Sequence, residues 1–131
     1  MPDLTLAQRF GTNVTIDTSV ANNPKLVITL KDLQDSTNGG DILNGLGIDD
    51  ATVINDTNKD QWASAILHAL VLLSFQKQPT NNNDPTVAIY ITNGGKRFLT
   101  RDSVNQVEFR LIAAAYKNDS QGLFVDPDDL A

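Results

Sequence analysis

The chain contains no cysteine. That excludes thiol nucleophiles, Cys-ligated zinc, iron–sulfur clusters and any disulfide framework, and it leaves the redox compartment open, because a disulfide-free chain is stable in either setting. Histidine, glutamate and tryptophan each occur once, as His68, Glu108 and Trp62. Positive charge is scarce: 10 Lys and Arg stand against 16 Asp and Glu, for a net charge of −6. An acidic body repels phosphate backbones unless a local basic stripe offsets it. Long apolar runs are missing too. The longest, Trp62 to Phe75, is interrupted by Ser64, His68 and Ser74 and falls short of the roughly 20 residues a membrane span needs. The opening Met1-Pro2-Asp3-Leu4 has neither a basic n-region nor an apolar h-region, so no signal peptide is expected. The expectation is a soluble protein, cytoplasmic at synthesis, without a membrane partner.

What is present fits one domain over residues 1–131, of a size that folds without a disulfide or metal. Asp3 to Phe10 reads as a short helix stopped by Gly11. Asn13 to Asp17 alternates like a strand, and Asn22-Asn23-Pro24 punctuates a turn. Lys25 to Lys31 (KLVITLK) is a strand with two largely apolar or β-branched faces, which predicts a central position in a sheet. Residues 35–60 are loop-rich, with Ile42-Leu43 and Val53-Ile54 as apolar pieces destined for the core. Asn58 to Lys77 is predicted as a long helix, with Thr57 as N-cap and Asp60 completing a capping box. Trp62, Ile66, Ala69, Leu70 and Leu73 share its main face.

Thr86 to Ile91, the turn signal Asn93-Gly94-Gly95 and Lys96 to Thr100 predict a β-hairpin. Residues 103–117 fit two patterns. As a helix they place Glu108 inside an apolar stripe, costly for an unpaired charge. As a strand they put Val107, Phe109 and Leu111 on one face and Gln106, Glu108 and Arg110 on the other, and this reading is preferred. The tail, 118–131, is acidic and carries the apolar triplet Leu123-Phe124-Val125. The expected fold is α+β: a small, mostly antiparallel sheet with a C-terminal hairpin or meander, packed on one long apolar central helix.

No catalytic, cofactor or metal constellation emerges. His68 would have to serve as the base of any Ser-His-Asp triad, yet it lies mid-helix between Leu67 and Ala69. Asp56 to Asp60 echoes the opening of a calcium loop, but Gln61 stands where the loop needs glycine and Leu67 where it needs glutamate. Glu108 has no defined carboxylate partner for glycoside hydrolysis and reads as a solvent-facing strand residue paired with Arg110 or a lysine. Lys96, Arg97 and Arg101 read as edge-strand protection and not as a nucleic-acid site. Asn38-Gly39-Gly40 and Asn93-Gly94-Gly95 read as turns.

The stretch Leu4-Thr5-Leu6-Ala7-Gln8-Arg9-Phe10-Gly11-Thr12-Asn13, with Ile91-Thr92-Asn93-Gly94-Gly95-Lys96 and the apolar strand ending at Tyr116, resembles parts of small hypothetical proteins of cyanobacteria and their tailed phages. The resemblance covers short stretches, carries no catalytic motif and transfers no functional residue. It implies a component of a virion or tail-like particle.

Residues and resemblance together predict a non-enzymatic structural or assembly protein without cofactors. It would be a subunit of an oligomeric particle such as a phage head, neck or tail. The physical ground is a helix with more apolar surface than one face can bury, so Leu67, Val71 and Phe75, together with Leu123, Phe124 and Val125, are the candidate contacts with copies of itself or other particle subunits. The competing expectation is a monomeric carbohydrate- or ligand-binding module built on exposed Asn, Asp and Trp side chains, for which Trp62 would have to lie outside.

Overall fold

The computed structural model describes residues 3–34, 42–49 and 51–118. They form two compact units, one spanning Leu4–Lys77 and the other built mainly from residues 78 onward. Among the described residues the class is α+β, with two two-stranded antiparallel sheets and a few helices.

The first unit opens with helix α1, Leu6–Phe10. Thr5 caps it, its side chain accepting from the Gln8 amide while the Gln8 side chain returns to the Thr5 amide, a reciprocal box. Gly11 ends it at φ 108°, a conformation glycine alone adopts without strain. A Cβ there would also meet the Asp32 Cβ at 2.9 Å. Strand β1, Thr15–Asp17, pairs antiparallel with β2, Lys25–Val27, through a turn in which Asn22 holds φ 60°.

The strand expected over Lys25–Lys31 is therefore shorter and is not central. It belongs to a two-stranded sheet, and Leu26 and Val27 are exposed. Its second half turns instead into the single helical turn α2, Lys31–Gln34: the Thr29 and Leu30 carbonyls accept from the Asp32 and Leu33 amides. A second short turn, α3, spans Ile42–Gly45.

The expected single long helix over 58–77 also needs correction. Lys59–Trp62 is a 3-10 turn, and the α-helix proper, α4, is 15 residues, Ala63–Lys77. The Thr57–Asp60 box does not form. The reciprocal contact lies at Asn55 and Asn58: the Asn58 amide donates to the Asn55 side chain at 3.1 Å and the Asn55 amide to the Asn58 side chain at 2.8 Å. This contact closes the turn that precedes the 3-10 segment, whose own N-cap, Asn58, makes no side-chain capping bond.

In this unit α4 packs against α1, α3 and the 3-10 turn. Its core is Leu33, Ile42, Leu43, Ile48, Ala69 and Leu73, flanked by Ile54, Trp62 and Leu70. Of the main face expected from the sequence, Trp62, Ala69, Leu70 and Leu73 do point inward. Of the loop pieces, Ile42 and Leu43 are buried, Ile54 is half-buried and Val53 is exposed. Among the described residues no helix is long and apolar enough to cross a membrane.

The second unit is dominated by a ribbon of two long strands, β3 (Ile89–Arg101, 13 residues) and β4 (Val104–Ala115, 12 residues). Within the segment 103–117, Val104–Ala115 is thus a strand. The hairpin turn is not at Asn93-Gly94-Gly95. There β3 continues through a bulge, with Asn93 opposite Leu111, Gly95 opposite Arg110, and Gly94 as the extra residue. The bulge needs both glycines. Gly95 holds φ 96°, and a Cβ on Gly94 would come within 3.0 Å of the Arg110 Cβ. The chain reverses at Asp102 and Ser103, between paired Arg101 and Val104. Both turn residues have positive φ, 48° and 63°, the signature of a type I′ turn.

Candidate interaction surface

Cross-strand partners share a face of a sheet, so the register divides the ribbon. One face carries Leu99, Arg97, Glu108 and Arg110; the other carries Phe98 opposite Val107, Lys96 opposite Phe109, Asn93 opposite Leu111 and Ile91 opposite Ala113.

The first face carries an ionic trio at its middle, between exposed Val104 and Ile112. Arg97 grips Glu108 with two hydrogen bonds, Nε to Oε1 at 3.0 Å and Nη2 to Oε2 at 3.2 Å, and Arg110 Nε adds a third to Oε1 at 2.7 Å. These bonds hold the Glu108 carboxyl below the usual glutamate value. The expected pairing of Glu108 with Arg110 is present, and Arg97 joins it. All three groups keep substantial solvent exposure, so the trio fixes register more than it adds stability.

The second face is apolar. Near its base Ile91 is buried, and its backbone is held by the Gln78 side chain, which accepts from the Ile91 amide at 2.8 Å and donates to its carbonyl at 2.6 Å. Gln78 thus stands in for a strand at that point of the β3 edge. The Tyr116 amide extends the pairing to the Ala88 carbonyl at 2.7 Å. Toward the tip the same face opens to solvent: Phe98 is 78% exposed and Phe109 60%, with Val107 between them also exposed. The Lys96 ammonium sits 5.9 Å from the Phe98 ring centre and 6.0 Å from that of Phe109, a cation–π arrangement bridging the two rings. Contiguous exposed aromatic surface of this kind marks interaction sites more often than ordinary protein surface does.

Of the residues singled out from the sequence, three lie on α4. Leu67 is 65% exposed, Val71 is half-buried and Phe75 is exposed; spaced four apart, they form one stripe along the helix. Leu123, Phe124 and Val125 lie outside the described residues, as does the acidic tail from 119 onward. The Phe98–Val107–Phe109 patch was missed as a unit. Alternation gave the Val107–Phe109 face, but seating Phe98 beside it required the true turn, and the Asn93-Gly94 pair drew the turn nine residues too early.

His68 is half-buried on α4. The calcium-like Asp56 is paired with Lys59 Nζ at 2.7 Å, and among the described residues no group of three or more metal-ligating side chains gathers. Trp62 is half-buried against the helical core, with its indole N–H shielded from solvent, so it offers no open stacking platform. The first unit also contains a polar anchor that sequence reading did not reach. Buried Asp32 accepts from the Asn13 amide and from the Asn13 side chain, both at 2.7 Å. Nothing in the local pattern around Asp32 announces it, because its partner is 19 residues away. In the second unit residues Asn82 to Pro85, Val87 and Tyr116 to Asn118 line an open depression of about 370 Å³ of mixed polar and apolar character. Comparison with protein-family models, curated proteins and solved structures yields no match.

Proposed function

We propose that the protein is a non-catalytic assembly subunit that buries apolar surface against partner chains in an oligomer. The observation that carries this reading is the solvent-facing cluster of Phe98, Val107 and Phe109 on the ribbon. Leaving such side chains in water forfeits roughly 1.5–3 kcal/mol each relative to burial, and a two-stranded ribbon is marginal until a neighbour covers it. The Leu67–Phe75 stripe of α4 supplies a second surface of the same character. A particle component of the phage-like kind indicated by the resemblance is the concrete form of this reading. Size-exclusion chromatography with light scattering tests it: the expected mass at micromolar concentration is a multiple of 14.2 kDa, and a stable monomer overturns it.

A second reading, a small carbohydrate-binding module, draws on the open depression, where Asn82 donates to the Tyr116 hydroxyl at 2.6 Å. Sugars are held by such amide and aromatic combinations. Calorimetric titration with neutral oligosaccharides distinguishes it: saturable heat lost in Asn82→Ala supports it, and no heat removes it.

A further inference from the structure

We propose that the occupant of the ribbon's apolar face is the Leu123-Phe124-Val125 segment of a second copy of this chain. This rests on the assembly reading above and names its partner. Two observations carry it, one of charge and one of register.

The chain is acidic as a whole, yet the ribbon is not. Residues 89–115 contain Lys96, Arg97, Arg101 and Arg110 against Asp102 and Glu108, a balance of +2, whereas residues 118–131 contain Asp119, Asp126, Asp128 and Asp129 and no Lys or Arg, a balance of −4. The ribbon presents Phe98, Val107 and Phe109 with Lys96 among them. The segment presents an apolar triplet followed directly by Asp126, Asp128 and Asp129. On the apolar face itself the charge is Lys96, because Arg97, Arg101 and Arg110 lie on the opposite face. Apolar thus meets apolar while the aspartates meet Lys96, which favours this pairing and disfavours two such faces stacking Lys96 on Lys96.

Register argues that the segment comes from another molecule. If the chain folded back beside β4 through the tightest turn, two residues at 117 and 118, then Leu123, Phe124 and Val125 would fall opposite Ile112, Leu111 and Arg110. Asp126, Pro127 and Asp128 would fall opposite Phe109, Glu108 and Val107. The triplet would miss the exposed patch, and a proline without an N–H would interrupt the pairing. Any longer turn moves the triplet further from the tip. A segment donated by a second copy has no such tether and can centre its triplet on Phe98 and Phe109. The contact is then heterologous, segment of one copy to ribbon of the next.

Two full-length variants test this by light scattering, with circular dichroism to check the fold. One carries Leu123→Ser, Phe124→Ser and Val125→Ser; the other carries Phe98→Ser and Phe109→Ser. Each alone is expected to weaken association by at least about tenfold. Mixed, they should form a one-to-one complex and nothing larger, because only one intact segment and one intact ribbon remain. Association of the first variant at wild-type strength overturns the proposal while leaving the oligomer reading intact. So does an oligomeric wild type whose two variants stay apart on mixing. A monomeric wild type overturns both. Binding of a single-stranded oligonucleotide that needs the ribbon but not the segment assigns the face to nucleic acid and also overturns it. If the ribbon variant misfolds, Lys96→Asp replaces it. That change should weaken association at low salt, and Asp126→Lys with Asp128→Lys in the mixed partner should restore it; failure of this swap counts against the proposal.

Discussion

The two units spend their apolar residues in opposite ways. The helical unit gathers Leu33, Leu43 and Ile48 into a core with essentially no exposure, whereas the ribbon buries Ile91 near its base and turns Phe98, Val107 and Phe109 outward. The helical unit uses hydrophobicity to hold its own shape and leaves the Leu67–Phe75 stripe over; the ribbon keeps its aromatic tip available for a neighbour. The lesson is that an even hydrophobic fraction along a chain says little about where apolar side chains end up. Topology decides: helices that wrap around one another enclose a volume, and a ribbon with two faces cannot.

Substitutions should separate these uses. Leu43→Ala removes a fully buried side chain and should cost about 2–5 kcal/mol of unfolding free energy, read as a lower urea midpoint. Phe109→Ser should leave the unfolding free energy within about 0.5 kcal/mol and act on association instead; a large loss of stability in a dilute sample would erase the distinction. Gly11→Ala comes next. It forces a residue with a Cβ into φ 108° and against Asp32, and about 2–3 kcal/mol should be lost from the helical unit.

On the ribbon, replacing Asp102-Ser103 by Asn-Gly suits the type I′ turn and should stabilise the ribbon by roughly 1 kcal/mol, visible as slower amide exchange near the tip. The smallest effect concerns Glu108. Its folded-state pKa lies below the ordinary value of 4.5, so its contribution is present above that value and is lost as the pH falls through the folded pKa. Cross-strand contacts around Arg97 and Arg110, followed by NMR, should weaken on acidification into that range, and in Glu108→Gln they should no longer respond.

Much of the fold was legible. Gly11 as a helix stop, the alternating strand within 103–117 and the inward placement of Trp62, Ala69, Leu70 and Leu73, though not of Ile66, follow from periodicity and backbone preference. The errors share one physical origin. Asn93-Gly94 is a strong short-range turn signal, but pairing along the whole of β3 and β4 outweighed it and turned it into a bulge, while the less typical Asp102-Ser103 took the reversal. In the same way KLVITLK has the look of a central strand, yet Thr29 and Leu30 use their carbonyls to start a helical turn. Asp32 was invisible because its partner is distant in sequence. The candidate surface was half legible: the Val107–Phe109 face could be read from alternation, and the seat of Phe98 could not be read before the register was known.

Trp62, the chain's single tryptophan, sits against the helical core with a shielded indole, whereas Tyr90 and Tyr116 belong to the other unit. The protein therefore carries its own pair of optical reporters. A red shift in indole emission follows melting of the helical unit, and tyrosine signals in the near ultraviolet follow the ribbon. Whether the two curves coincide on heating will tell whether this chain unfolds as one cooperative body or as two.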